Sequence, residues 1–165
     1  MYPSESAQLG YQVTNEQYAF PTVKLSYMYN SPIESLQLIR TSRDIYQLMM
    51  PVFDDFVEFY EEFHIILLSH SHRVLGHLPI GKGGLTSCVA DPRRVLQAAI
   101  LSNCSQVILI HNHPSGNLMP SEPDRRLTKR MKEALQLVDI NLLDHVILTR
   151  SSYYSFADQG ESSLL

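Results

Sequence analysis

Apolar and polar positions along the chain fall into short stretches of two different periods. Ser42 can cap a helix that carries Ile45, Leu48 and Met49 at helical spacing, and Pro51 is expected to break or kink it. Phe63 to Ser69 and His72 to Ile80 read as two strands, joined as a hairpin by the polar turn Ser69 to Arg73. Gly81, Gly83 and Gly84 predict a flexible connection after them. Asp91-Pro92 is a helix start, with Asp as N-cap and Pro in the first turn, and Val95, Leu96, Ala99 and Ile100 follow at helical spacing. Ser105 to Ile110 reads as a strand, apolar without interruption from Val107. Ser121 to about Val138 is strongly amphipathic, with Leu127, Met131, Ala134, Leu135 and Val138 in one stripe. Leu142 to Leu148 and Tyr153 to Phe156 read as the last strands.

The order is helix, two strands, helix, strand, helix, two strands. It predicts a mixed β-sheet flanked by helices, a single α/β (α+β) domain over residues 41–165. Residues 1–40 are rich in Tyr, Ser, Asn, Gln and Pro without a sustained period, and are expected to form a loosely ordered N-terminal arm.

Composition narrows the function classes. A length of 165 residues suits one domain with its own core, and 44% hydrophobic content suits a globular one. The formal net charge of −4 argues against binding polyanions with the whole surface. The two cysteines, Cys88 and Cys104, are too few for a disulfide framework or a four-cysteine zinc site, whereas there are seven histidines. Any metal must therefore be held largely by nitrogen and oxygen. The N-terminus shows neither a basic n-region nor an apolar h-region, and no apolar run is long enough to span a bilayer, so the expectation is a cytoplasmic protein without membrane contact.

The chemistry is concentrated between His111 and Asp124. His111 and His113 directly follow an apolar strand, and residues two apart on an extended chain share a face. Pro114, Gly116 and Pro120 favour a constrained loop, and Ser121 and Asp124 share a face at the start of the next helix. Folded back, that loop sets a carboxylate against two imidazoles and leaves a fourth zinc position for water. Ser121-x-x-Asp124 is also an ordinary N-capping arrangement. His70-Ser71-His72 repeats the His-x-His spacing inside a polar turn with no serine-acid pair after it, and reads as solvated turn. His64 and His77 read as packed or edge residues, and His145 as a hydrogen-bonded core histidine.

The string His111-Asn112-His113-Pro114-Ser115-Gly116, followed by Pro120-Ser121-x-x-Asp124, resembles the metal motif of the JAB/MPN+ (JAMM) metallopeptidase-like fold, and specifically its RadC branch. Asp91-Pro92-Arg93, Leu143-Asp144-His145 and Tyr154-Ser155-Phe156 extend the resemblance over roughly residues 41–160. It implies a cytidine-deaminase-like fold, zinc held by His111, His113 and Asp124, and Ser121 hydrogen-bonding the water or a developing oxyanion. The family's general acid/base is a glutamate at the start of the first core strand. Counting back from Phe63 by the family pattern selects Glu61, and Glu62 would point to the opposite face. The implied reaction is hydrolysis of a peptide or isopeptide bond in an unidentified protein or peptide.

Many RadC-like proteins carry an N-terminal helix-hairpin-helix module, and residues 1–40 are too short and too weakly periodic for one, which weakens the DNA-repair role in the family's name. A second reading is a DNA-repair or nucleic-acid-associated module of this family, with a metal site but without demonstrated turnover. Its support is the helix with Arg125, Arg126, Lys129, Arg130 and Lys132, five of thirteen basic residues, which also reads as a solvated face. His-Asn-His alone does not make a nuclease of that name. The His-x-Glu and Pro-Cys-x-x-Cys signatures of zinc deaminases are absent from the sequence.

Overall fold

A computed structural model describes residues 12–14, 22–24, 31–83 and 90–165. Gly84 and Cys88, and most of the first 30 residues, lie outside the described residues. Strands β1 (Gln12–Thr14) and β2 (Thr22–Lys24) pair antiparallel within the expected arm. Further along, Val74 donates its N–H to the Gln37 carbonyl at 2.8 Å, and Ile39 donates to His72 at 3.0 Å. Ile39 is buried, so chain before Thr41 is joined to the sheet and its core.

Helix α1 (Ser42–Phe53) is capped by Thr41, one residue earlier than the apolar pattern predicts. Asp44 three residues on makes the reciprocal bond to the Thr41 N–H at 2.9 Å, a capping box that Ser42 has no acid to complete. Pro51 sits inside this helix and does not end it there. A proline costs one helical bond and crowds the preceding turn. Pro51 lies on the exposed side, and complete burial of Phe53 beyond it holds the last turn in place.

Strands β3 (Glu62–Leu68) and β4 (Val74–Lys82) form the predicted antiparallel hairpin. Gly81, expected in the connection, pairs with Phe63 as part of β4. Helix α2 (Pro92–Leu101) starts at Asp91, whose carboxylate accepts the Arg93 N–H. Strand β5 (Gln106–Asn112), helix α3 (Glu122–Gln136), β6 (Asn141–Leu148) and β7 (Tyr153–Ser155) complete the domain.

The five-stranded sheet runs β4-β3-β5-β6-β7. Only β5 and β6 are parallel, and α3 makes the crossover between them. Both faces are covered, which is why β3 and β5 read as continuous apolar runs. Phe63, Ile65, Val107 and Leu109 point into one core with α2 and α3. Ile66, Leu68, Ile108 and Ile110 point into the other with α1. This is the mixed-sheet, single-domain α+β architecture the pattern predicts. No helix among the described residues is long and apolar enough to cross a membrane.

Candidate metal centre

Strand β5 runs two residues past its apolar core and so includes His111 and Asn112. Alternation sends their side chains to opposite faces. His111 continues the Val107–Leu109 row toward α3, and its ring stacks on Phe63, its cross-strand partner, with centroids 5.9 Å apart. His113 follows just beyond the strand. Pro114 and Ser115 then form a tight turn closed by the Gly116 N–H on the His113 carbonyl at 3.0 Å. Gly116 has φ 77°, a backbone state that side chains with a Cβ resist. The turn brings the Asn117 carbonyl to 2.6 Å from His113 Nδ1. A carbonyl only accepts, so Nδ1 carries the proton and Nε2 is the nitrogen turned toward Asp124.

Asp124 arrives from the first turn of α3. The Ser121 hydroxyl accepts from the Asp124 N–H at 3.3 Å, and Asp124 Oδ2 accepts the Ser121 N–H at 2.7 Å and its hydroxyl at 2.6 Å. The capping arrangement and the approach to the histidines thus coexist in one carboxylate. His111 Nε2 and His113 Nε2 are 3.0 Å apart, with Asp124 Oδ1 3.4 Å from the first and Oδ2 3.6 Å from the second. Among the described residues, these three form a group whose ligand atoms all lie within 4.8 Å of one another.

This donor set fits a metal ion. A tetrahedral zinc with bonds of about 2.0–2.1 Å has its ligand atoms about 3.3 Å apart. Two facing imidazole nitrogens beside a carboxylate also call for a shared positive charge. Burial pushes His111 down to about 4, which favours the neutral, ligating ring. At His113 burial opposes the charge, but the hydrogen bond to Asp124, the Asn117 carbonyl and the charges of Asp124 and Glu61 raise it above its ordinary value. Burial likewise works against the Asp124 carboxylate, yet its contacts with His113, His111 and Ser121 hold it well below the usual carboxylate range.

The two glutamates at the start of β3, Glu61 just before it and Glu62 its first residue, separate clearly. Glu62 turns to the α1 face, where its Oε2 lies 2.9 Å from His64 Nε2 and its Oε1 3.6 Å from Lys82 Nζ. Glu61 immediately precedes β3, and its charge acts on His113. Asn112, between the two histidines in sequence, holds the segment around Glu61. Its Oδ1 accepts the Glu62 N–H at 2.9 Å, and its Nδ2 donates to the carbonyls of Val57 at 2.9 Å and Tyr60 at 2.8 Å. Asn112 is a functional position not expected from the sequence. Its signal was a polar residue on the buried side of an apolar strand, which must find partners.

The remaining histidines take other places. His64 is buried and packs on Phe53, with His77 stacked beside it. His70 is exposed, but His72 is half-buried with its Nε2 3.3 Å from Gln106 Nε2, so the turn is not wholly solvated. His145 is completely buried and contacts His111 and Thr128.

Comparison with known proteins adds the decisive observation. The family model described as the RadC-like JAB domain matches residues 39–161. The chain belongs to this RadC-like JAB domain family. The RadC-like chain is 37% identical over 128 residues to the UPF0758 protein of Flavobacterium johnsoniae, covering 78% of this chain and 55% of that one. It is 44% identical over 101 residues to the UPF0758 protein of Vibrio cholerae, covering 61% and 63%. It is 41% identical over 100 residues to the UPF0758 protein YfjY of Escherichia coli K12, covering 61% and 62%. The RadC-like chain spans about half the length of several curated relatives it matches.

Proposed function

We propose that the domain is a zinc-dependent hydrolase of peptide or isopeptide bonds. The carrying observation is the convergence of His111 Nε2, His113 Nε2 and Asp124 at 3.0–3.6 Å on the side of the sheet to which Glu61 directs its charge. Zinc bound there would polarise a substrate carbonyl and lower the pKa of a water toward about 7. His111, His113 and Asp124 would hold the ion. Glu61 takes a proton from the attacking water and returns it to the leaving nitrogen. The Ser121 hydroxyl, spent on Asp124 in this structure, turns to the developing oxyanion. The substrate partner is a protein or peptide, and the setting is the cytoplasm.

The test uses zinc-loaded protein, a proteome-derived peptide mixture, and mass spectrometry to count new termini. Wild type is expected to bind about one zinc per chain and to generate new termini, while zinc-loaded Glu61→Gln generates none. A wild type that takes up no zinc, or cleaves no more than Glu61→Gln, overturns the proposal.

A nucleic-acid contact through α3 retains a narrower basis. Arg125 pairs with Glu161, and Lys132 bonds the Ser163 carbonyl, which leaves Arg126, Lys129 and Arg130 exposed along the helix. Affinity for DNA or RNA that falls with salt, and falls further on replacing Arg126 and Lys129, supports this reading; its absence at low salt rejects it.

A further inference from the structure

We propose that Thr128 and His145 form a proton-ordering relay that sets which nitrogen of His111 is bare, so that its Nε2 is prepared to ligate. The inference rests on the metal-site reading above and assigns positioning roles to two residues that would not touch the metal.

The Thr128 hydroxyl lies 2.7 Å from the main-chain carbonyl oxygen of Asp124, four residues back along α3. That oxygen only accepts, so the one hydroxyl proton is spent on it. Thr128 Oγ1 is also 2.6 Å from His145 Nδ1, and in that contact it must accept. His145 therefore carries its proton on Nδ1. Its ring is completely buried, which disfavours a second proton, so Nε2 holds a lone pair. His145 Nε2 lies 2.9 Å from His111 Nδ1, and His111 must donate there. His111 is left with a proton on Nδ1 and none on Nε2, the atom that faces His113 and Asp124.

The reverse polarity is the cost of losing the hydroxyl's direction. If Thr128 donated to His145, His145 would donate to His111 through Nε2, and the His111 proton would move to Nε2. Neither nitrogen of His111 could then reach a metal with a lone pair. The carbonyl of Asp124 selects against this state because it would lose its hydroxyl donor. Thr128 is wholly buried, so no water replaces that donor. The relay also closes on itself, since it begins at the main chain of Asp124 and ends at a ring facing the side chain of Asp124. His113 reaches the same polarity by a shorter route, through the Asn117 carbonyl.

Two measurements test this. Long-range proton–nitrogen NMR of metal-free wild type should show His111 and His145 as neutral rings protonated at Nδ1. Finding His111 protonated at Nε2 overturns the relay whether or not the protein binds metal. Zinc affinity by chelator competition should fall about tenfold in Thr128→Val, the low end of the loss on removing an outer partner of a metal histidine, because Thr128 acts through His145. Thr128→Ser keeps the hydroxyl and should recover most of it. Thr128→Val binding zinc as tightly as wild type overturns the relay, as does Thr128→Ser binding as weakly as Thr128→Val. Wild type that binds no zinc sinks the metal reading, and the NMR result then still decides the relay.

Discussion

Glu62 Oε2 lies 2.9 Å from His64 Nε2, on the face of the sheet opposite His111. The contact engages one of two adjacent glutamates with a buried histidine, beside the exposed Lys82, while the charge of its neighbour acts on His113. Glu61→Gln is accordingly expected to retain zinc and lose turnover. Glu62→Gln should retain both, and lose about 1 kcal/mol of stability for one weakened charge-assisted bond. Zinc content, peptide cleavage and denaturant melts on the two variants separate these outcomes. The reverse assignment would show turnover lost only in Glu62→Gln.

Asp124 combines a helix cap with a candidate ligand, and substitutions can divide the two. Asp124→Ala should abolish zinc binding and cost about 1 kcal/mol through the lost cap. Asp124→Asn keeps an oxygen that can accept the Ser121 N–H and should keep most of the stability while still weakening zinc. His113→Ala should lose zinc with the cap untouched. Metal analysis and thermal melts on all three provide the check, and full zinc occupancy in either alanine variant would contradict the ligand assignment.

Asn112→Ala should be among the more damaging single changes. It strands the Val57 and Tyr60 carbonyls and the Glu62 N–H, each of which costs about 1–3 kcal/mol when buried without a partner. A net loss of about 3 kcal/mol is expected, since the loop can relax. Because the Asn112 side chain lies on the face of the sheet opposite His111, zinc should be retained while turnover falls. A variant with wild-type turnover would show that the segment around Glu61 is held by other contacts.

Asp144 gives a pH dependence of known sign. Burial pushes its carboxyl up to about 6, against partial relief from Ser155, Ala157 and His145. A folded state that binds the proton more tightly than the unfolded chain gains stability as pH falls. Asp144 thus contributes most below its unfolded value near 3.8, and that contribution is lost as pH rises through about 6. The span corresponds to at most about 3 kcal/mol. Denaturant melts of wild type minus Asp144→Asn should show the difference growing in favour of wild type from pH 6.5 to about 4. A difference that stays level across this range would place the carboxyl near its ordinary value.

The elements most legible in the sequence were those whose information is local. α3 announces itself by its apolar stripe and its cap, and β5 by an apolar run between turns. His111 to Asp124 is legible as a unit because both ends of the site lie within one short segment. His145 was legible as a hydrogen-bonded core histidine, but its partners, like those of Asn112, were not, because they are set by pairing across the sheet. His145 meets His111 through the parallel β5–β6 register, 34 residues away, and no nearby pattern encodes that. α1 runs two residues past Pro51 for a related reason, since burial on one side of the helix outweighs a local preference.

The tight turn at Gly116 lets the three candidate ligands be gathered within 14 consecutive residues, while Glu61 comes from 50 residues before His111. Closing the shorter loop costs less chain entropy, and the cost grows only slowly with length. The larger difference is one of dependence: the ligands ride on the central strand and its following helix, whereas Glu61 relies on the junction between α1 and β3 staying closed. On the proposed mechanism, partial opening of that junction would disarm proton transfer first and leave the candidate ligands gathered.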